Sequence, residues 1–433
     1  MLILFLPTQF GRHFWPNFSY VLGLRVDYLS PTIYLTDVLA FLLFAFVILN
    51  LFQDLRQRKI LKRVQNDIFK NWELAAPIVF LLIGVILSKS PPAGLYGLGK
   101  FFEFCFLGFY TAGFIKKEEN VQKVLLLFSI GVLLESFLAL AQYIHQGSLN
   151  GIFYFFGERN FTSQTPGIAN ATINGSLVLR PYGTFPHPNV LAGYLVIAMT
   201  IIIFNFHPAK GGTIFNKISN FKNLIFLISL LVGTIALLLT MSRIAIILWI
   251  IIFFLWIFRN FNIKNSFQIS NFKFQILMMV VVFSIFFLSP LHFRFSDLRL
   301  TDESVVAREQ LLKTAIGMIQ THPVFGVGIH NFLQNVPQFQ KLNTQVSLFG
   351  YLQPVHNIFF LIAAETGIVG FYFFAWFIGL TYKRILNKFI PHPLSFILLS
   401  VVLVLGMFDH YFLTLQQGQL LFAFVLGFCW SDK

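Results

Sequence analysis

The chain has 433 residues, of which 57% are hydrophobic, 18% are aromatic and only 11% are charged. This composition excludes an ordinary soluble globular protein and indicates a polytopic membrane protein. The net charge of +14 does not indicate nucleic-acid binding, because the basic residues punctuate hydrophobic runs instead of forming one face of a folded domain.

The N-terminal segment and the cysteines carry little chemistry of their own. Cys105 and Cys429 both lie inside apolar runs, which excludes a disulfide framework and a zinc site. No cleavable signal peptide is expected, because the first seven residues lack a basic region and a small-residue cleavage site. Met1–Leu6 is too short to span a bilayer, and the aromatic stretch Phe14–Tyr28 suits a membrane interface.

Apolar runs recur from Thr32 onward at close to the roughly 17 to 25 residues that a spanning helix needs. The predicted spans are Thr32–Leu51, Leu74–Leu87, Ala93–Phe114, Val121–Ile144, Val190–Phe206, Leu224–Thr240, Ile244–Phe258, Ile276–Leu288, Ile358–Leu380, Pro393–Phe408 and Leu413–Cys429. The sequence therefore predicts an all-α, polytopic integral membrane protein with about 11–12 transmembrane helices, and a single transmembrane domain over residues 1–433.

Lysine and arginine collect in alternate connections between these spans, which predicts that those connections are cytoplasmic. Such clusters occupy residues 56–70, 116–117, 210–222, 259–273 and 383–388. Reading residues 224–258 as one helix would put Lys222 and Arg259 on opposite sides of the membrane. Thr240–Arg243 is therefore predicted to be an external hairpin, with Arg243 at the outer surface.

Two connections are too long to be simple turns, and the same topology makes both of them external: loop 1 at residues 145–189 and loop 2 at residues 289–356. Loop 2 is predicted to contain an amphipathic helix over Glu303–Gln320, capped by Asp302 and stopped by Pro323. Its apolar stripe is predicted to comprise Val305, Arg308, Leu312, Ala315 and Ile319. On that stripe Arg308 either extends its head to water along an apolar stem or holds a guanidinium against a site.

Four external stretches combine polar residues with turn-forming residues. They are RPYGTFPHPN (Arg180–Asn189), TMSR (Thr240–Arg243), HPVFGVGIHN (His322–Asn331) and VHNIFF (Val355–Phe360). Several arginines and histidines at one apolar surface suit a polyanionic group, because the planar guanidinium can bind phosphate oxygens in pairs. Taken singly, an arginine at a helix end is also typical of an interface anchor, and a histidine of a hydrogen-bonded structural residue.

Glu365 is a carboxylate inside an otherwise apolar span. A charge at the centre of a bilayer costs at least about 2.5 to 3.5 kcal/mol, so Glu365 is expected to face protein or water. It follows His356 by nine residues, which on a continuous helix places it on the opposite face and about 13.5 Å deeper. We therefore interpret Glu365 as a structural hydrogen-bonding residue, with Ala363 and Gly367 allowing a neighbouring helix to come close.

The order of the motifs resembles one known family. The chain contains R-P-x-G-T-F-x-H-P-N-x-L-A-x-Y-L, then S-R in a tight hairpin, then R-x-x-x-x-K-T-A-x-x-M-I-x-x-H-P-x-x-G-x-G-x-x-N-F, then H-N-x-x-x-x-x-x-x-E-x-G-x-x-G. Over roughly Phe161–Phe377 this order is similar to the superfamily of O-antigen ligases and O-antigen polymerases, which includes the pilin O-oligosaccharyltransferases. Members of that family are integral membrane, metal-independent glycosyltransferases that move a glycan from undecaprenyl diphosphate to an acceptor hydroxyl at the periplasmic face.

The resemblance implies roles for particular residues. His356 corresponds to the family's essential histidine, and Arg180 and Arg243 correspond to arginines that hold the diphosphate; Arg308 is a weaker match. The further substrate-binding candidates are His187, Asn189, His330 and Asn357. The implied partners are an undecaprenyl-diphosphate-linked glycan donor, a lipid or glycan acceptor and membrane lipids, with no nucleic acid. The implied location is the bacterial cytoplasmic membrane, crossed many times, with the active site facing the periplasm.

Three functions remain open at this point: a lipid-linked glycan transferase, a transporter or flippase of lipid-linked sugars, and a structural membrane subunit. A flippase should line a path across the bilayer with polar residues, whereas most of the arginine and histidine candidates here collect at one face. No cofactor is expected, and no metal, because the external acids form no closely spaced D-x-D pair. Asp409 with His410 is the one pair that resembles a ligand set, and two ligands hold Mg²⁺ weakly.

Overall fold

The computed structural model describes residues 1–55, 72–173, 175–205, 221–260, 303–340, 352–387 and 393–431. Within these residues the chain is mainly helical. The helices are α1 (Leu2–Phe5), α2 (Leu35–Leu55), α3 (Trp72–Leu87), α4 (Pro91–Phe114), α5 (Glu118–His145), α6 (Pro188–Asn205), α7 (Phe221–Leu239), α8 (Arg243–Asn260), α9 (Glu303–Thr321), α10 (Phe332–Phe339), α11 (Ile358–Leu386), α12 (Pro393–Gly406), α13 (Tyr411–Thr414) and α14 (Gln416–Trp430).

Short antiparallel hairpins interrupt the helices in two regions, so the prediction of an all-α fold is right only for the spans. In the N-terminal segment β1 (Gly11–His13) pairs with β4 (Thr32–Tyr34), and β2 (Tyr20–Val21) pairs with β3 (Leu24–Arg25). In loop 1 β5 (Asn170–Ile173) pairs with β6 (Ser176–Leu179). These strands of two to four residues are too short to give a periodic signal in the sequence.

The predicted polytopic membrane architecture is confirmed in part. Among the described residues, α5, α6 and α11 are long and apolar enough to cross a membrane, and the apolar stretches Leu35–Asn50, Ala76–Leu87, Leu224–Leu239 and Pro393–Gly406 are shorter. Ten of the eleven predicted spans coincide with helices of the structure. The eleventh, Ile276–Leu288, lies outside the described residues.

Helix α6 is the centre of the main hydrophobic core. Nearly all of its side chains are buried, from Val190 to Phe204. A helix that is apolar on every face is stable only when other helices surround it, and α5, α7, α8 and α12 pack around this one. The predicted hairpin between α7 and α8 is present as a turn at Thr240–Met241, where Met241 has a φ of 53°.

A second hydrophobic cluster joins the N-terminal segment to loop 2. Val21, Val26 and Leu29 pack with the buried face of α9, with α10 and with Val355 at the entry to α11. On α9 the buried side chains are Leu311, Ala315 and Met318. The amphipathic helix is therefore where the sequence predicts it, but its apolar stripe is rotated by about one residue, and Arg308 is exposed instead of lying on that stripe.

Helix α11 is broken at Gly367, which has a φ of 68° and a ψ of −177°. Part of loop 2 fills the break: Ile368 N donates to Pro323 O at 2.8 Å and Val327 N donates to Ala364 O at 2.9 Å. A Cβ atom on residue 367 would lie 2.2 Å from the oxygen of Val324. The small residues of this span therefore admit a loop, and the predicted close approach of a neighbouring helix on a continuous α11 is wrong.

Candidate functional site

The loop RPYGTFPHPN is held in place by polar side chains that α5 buries. Gln142 Oε1 accepts hydrogen bonds from Tyr182 N and Gly183 N at 2.9 and 2.8 Å, and its Nε2 donates to Gly183 O at 2.9 Å. Glu135 accepts from the backbone N–H and the hydroxyl of Thr184 at 2.9 and 2.8 Å. Buried amide and carboxylate groups need such partners, so these hydrogen bonds hold the loop against α5.

Arg180 ties this loop to the hairpin between α7 and α8. Its side chain is only 7% exposed. The Nε atom donates to Thr240 O at 2.7 Å, and the Nη2 atom donates to Asn189 Oδ1 at 2.8 Å. Because a guanidinium is planar, these two bonds fix its orientation. The hairpin that carries Arg243 is thereby placed beside the loop that carries Arg180.

Asn189 extends the connection to the segment between α12 and α13. Its Nδ2 atom donates to Asp409 Oδ2 at 3.1 Å, while its backbone N–H donates to His187 Nδ1 at 3.1 Å. Asp409 Oδ1 also accepts from the backbone N–H of His410 at 2.8 Å. Arg180, Asn189 and Asp409 therefore form a continuous chain of hydrogen bonds between a cation and an anion.

His356 lies beside this chain. Its ring is edge-on to the ring of His410, with centroids 5.0 Å apart, and the ring of Tyr28 is also edge-on to that of His410, with centroids 5.4 Å apart. The Nδ1 atom of His356 is buried and has no hydrogen-bond partner among the described residues. Leaving such an atom unpaired costs about 1 to 3 kcal/mol, a cost that packing alone does not explain.

Asn357 fixes the position of His356. Its Oδ1 atom caps α11 by accepting from Phe359 N and Phe360 N at 2.9 and 3.2 Å, and its Nδ2 atom donates to Met407 O at 3.0 Å. Asparagine is a preferred helix N-cap because its side chain satisfies the first free amides. Asn357, which the sequence predicts to bind substrate, thus joins the start of α11 to the backbone segment that leads to Asp409.

The charges in this cluster follow from burial. Burial lowers the pKa of His187 and of His410 to about 3, and it also lowers the pKa of His356. Burial alone would raise the pKa of Asp409, but the neighbouring imidazoles and the Asn189 amide outweigh it and lower that pKa to about 2. At neutral pH the cluster therefore contains one carboxylate and three neutral imidazoles.

Arg308 reaches the same cluster from α9, although its side chain is exposed. The proximity of its guanidinium adds to the lowering of the pKa of His187, His356 and His410. The structure thus brings three predicted stretches together, namely those of Arg180, Arg243 and His356, and adds Arg308 at their rim.

The remaining stretch, HPVFGVGIHN, lies apart from this cluster. His330 packs against α4, where its ring meets Tyr96 with centroids 5.4 Å apart and its Cβ atom lies against Gly97. Asn331 Oδ1 accepts from Ser90 N at 2.9 Å. Glu365 Oε1 accepts from Phe332 N at 3.1 Å, so this carboxylate holds loop 2 against α11, as its structural interpretation predicts. The geometry therefore gives His330 no place among the histidines around Asp409.

Three kinds of residue escaped the sequence interpretation of this site. Asp409 and His410 were singled out only as a weak metal pair, although a carboxylate next to a histidine between two apolar spans is itself a signal. Glu135 and Gln142 are hidden inside a span and hold the site loop. Tyr28 belongs to an N-terminal segment to which the motifs assign no role.

Among the described residues, no group of three or more His, Cys, Asp or Glu side chains could hold a metal ion.

A comparison with known protein families gives a match over part of the chain. A family model described as O-antigen ligase matches residues 227–375, which include the hairpin at Thr240, helix α9 and the His356 segment. The match confirms the resemblance to the O-antigen ligase superfamily and supports an O-antigen ligase-like glycosyltransferase activity. No curated protein matches the chain.

Proposed function

We propose that this protein is a membrane glycosyltransferase that moves a glycan from undecaprenyl diphosphate to an acceptor hydroxyl, without a metal ion, at the periplasmic face of the bacterial cytoplasmic membrane. Arg180, His356 and Asp409 come from three distant parts of the chain and converge at one end of the helices, which supports this proposal. The O-antigen ligase match supports the reaction class.

The arginines suit the departing group. When the bond between the anomeric carbon and the diphosphate oxygen breaks, negative charge grows on that oxygen, and fixed cations stabilise it. Arg180 is oriented by its bonds to Thr240 and Asn189, and Arg243 starts the helix that follows the same hairpin. We assign both to the diphosphate and Arg308 to the rim of its binding site, in place of the divalent ion that many glycosyltransferases use for this purpose.

His356 suits the acceptor. Its lowered pKa keeps the imidazole neutral at pH 7, so that it can accept the proton of the acceptor hydroxyl while the hydroxyl oxygen attacks the anomeric carbon. The products are the glycosylated acceptor, undecaprenyl diphosphate and a protonated His356, which then returns its proton to water. The nearby Asp409 carboxylate acts to raise the pKa of His356 and would stabilise the imidazolium that forms in the reaction.

The test uses the purified protein in lipid nanodiscs with an undecaprenyl-diphosphate glycan. Transfer should yield lengthened or newly glycosylated acceptor, read on a gel, together with stoichiometric release of undecaprenyl diphosphate, and both should persist after exhaustive treatment with EDTA. Movement of intact donor between leaflets with no covalent product would identify a transporter of lipid-linked sugars. Activity that is lost with EDTA and restored by Mg²⁺ or Mn²⁺ would refute the metal-free mechanism.

A further inference from the structure

A short turn in loop 1 exposes a group of large apolar side chains. In the 3₁₀ turn Gly151–Phe156, called here the aromatic turn, Ile152 is 67% exposed, Tyr154 59% and Phe155 65%. The ring of Phe10 from the N-terminal segment lies beside that of Phe155, with centroids 6.5 Å apart, and is itself exposed. A contiguous patch of this kind indicates a surface that meets a partner.

The aromatic turn projects from a rigid base. Glu158, which is buried, accepts hydrogen bonds from Leu149 N at 2.9 Å and from Asn150 N at 2.7 Å, and it also accepts from Gln142 Nε2 of α5 at 2.8 Å. Gly157 follows with a φ of 100°, and the backbone of Gln9 lies too close to it for any side chain. The exposed rings are therefore held outward by the fold.

The patch continues a lipid-facing surface. On α5, one of the apolar spanning helices, Leu134, Phe137 and Ile144 are exposed, and their spacing places them on one face of the helix. That face ends in the last turn with Ile144, which is 81% exposed. The aromatic turn begins seven residues after Ile144, at the same end of the helix.

The charges around the patch also suit a bilayer surface. Arg12, two residues after Phe10, and Arg159, three residues after Phe156, are both exposed. Glu158 is the sole acidic residue in the sequence of loop 1, and its charge is buried and satisfied by hydrogen bonds. Exposed cations beside apolar and aromatic side chains are typical of segments that rest among anionic headgroups.

We infer that the aromatic turn and Phe10 form a membrane-interface anchor. It lies among the lipid headgroups and the upper acyl chains, on the side of the membrane where the candidate site lies. Tyrosine is enriched at this depth because its ring is apolar and its hydroxyl is polar. A bound sugar is the less favoured occupant, because Ile152 and three of the four rings of the turn carry no polar group that could bond to sugar hydroxyls.

The anchor is linked mechanically to the site loop. Thr8 Oγ1 donates to Phe156 O at 2.7 Å, and Thr184 Oγ1 lies 3.0 Å from Pro7 O. Gln9 Nε2 donates to Thr184 O. Seating the aromatic turn in the lipid interface thus fixes the depth of the loop that carries Arg180, whatever reaction the site performs.

Spin labels can test the anchor directly. Phe155→Cys, and as a control Gln164→Cys in the exposed part of the same loop, are made with Cys105 and Cys429 replaced by alanine, labelled with nitroxide and reconstituted into vesicles of neutral and anionic lipid. The label at 155 should collide mainly with oxygen, and the label at 164 mainly with a water-soluble nickel complex. Equal exposure of the two labels to the nickel complex would overturn the inference.

A second measurement needs no variant. Hydroxyl radicals should oxidise Tyr154 of the wild-type protein in nanodiscs several-fold more slowly than the same tyrosine in a synthetic peptide of residues 150–160. Oxidation of Tyr154 in the protein at the rate expected for a side chain exposed by more than half would refute the anchor. Protection of Tyr154 that appears only after a soluble oligosaccharide is added would also refute it. The second result would identify the patch as a glycan-binding surface.

Discussion

Removal of the Asn189 side chain should disconnect the two charged halves of the candidate site. Asn189→Ala deletes one hydrogen bond to a guanidinium, at 2.8 Å, and one to a carboxylate, at 3.1 Å. Hydrogen bonds to charged groups contribute about 1.5 to 3 kcal/mol each. Since Asn189 is only half-buried, we take the lower value for both, about 3 kcal/mol in total, which corresponds to roughly a 100-fold loss if the reaction bears all of it.

The assay is the transfer rate with saturating donor, measured beside the thermal unfolding midpoint in the same lipid. Asn205→Ala is a matched control, because Asn205 is also half-buried, lies at the opposite end of α6 and bonds only to a backbone carbonyl. It should retain the wild-type rate. Unchanged transfer and unfolding in Asn189→Ala would refute the role of this hydrogen-bonded chain.

Asn189→Asp separates the hydrogen bonds from packing, because the shape of the side chain is preserved. The new carboxylate can still accept from Arg180, but it faces Asp409 at the former donor position and repels it. Two carboxylates this close share a proton, so the pKa of one of them is raised in the folded state. Relative to the wild type, the variant should therefore lose stability as the pH rises through that pKa, which thermal unfolding of both proteins over a range of pH measures.

Three further predictions concern other parts of the site and the fold. Arg180→Lys and Arg243→Lys should each weaken donor binding and turnover, because an ammonium cannot bind two oxygens in one plane; wild-type values in both would identify interface anchors. Gly367→Ala should prevent accumulation of stable protein, because residue 367 has a φ of 68° and its Cβ would lie 2.2 Å from a loop carbonyl oxygen, whereas Gly379→Ala, with open space around it, should be neutral. The folded pKa of about 3 for His410 lies below its unfolded value, so its contribution to stability is lost as the pH falls; thermal unfolding should show a loss of about 2 kcal/mol between pH 6.5 and 5, and no loss on acidification would contradict this.

The spans were predictable because hydrophobicity decides them. The helix limits differ from the predicted ones by a few residues at most ends, for example Val121–Ile144 in the prediction and Glu118–His145 in the structure. Charge placement found the hairpin at Thr240, which hydrophobicity alone would have read as the middle of one long helix. Both signals are strong because the cost of exposing a charge or a backbone group to lipid is large.

The break in α11 could not be predicted from the same signals. Gly367 lies in an apolar run, and its spacing from Ala363 indicates close packing between two helices. The actual cause is distant in the sequence: Gly326 and Gly328, both with positive φ, let loop 2 place its amides on the carbonyls of α11. Contacts of this kind depend on tertiary structure, so a pattern within one segment cannot reveal them.

The site was only partly predictable, because contacts between distant segments decide the role of several of its residues. Motif order pointed to Arg180 and His356, and the structure places both in one connected cluster. The order of the motifs could not show that Asn357 serves as a helix cap, that His330 packs elsewhere, or that Glu135 supports the loop from inside a span. These roles follow from which neighbours each side chain meets, and the residue types alone are compatible with several.

If His356 accepts the proton of the acceptor hydroxyl, the His356→Ala variant should lose most of its transfer activity. A positioned general base contributes roughly 10²- to 10⁴-fold, so the variant should fall to about one hundredth of the wild-type rate or below. Its unfolding midpoint should stay close to that of the wild type, because the buried Nδ1 atom has no bond to lose among the described residues. A stable His356→Ala protein that keeps more than about a tenth of the wild-type rate would contradict the role of His356 as a general base.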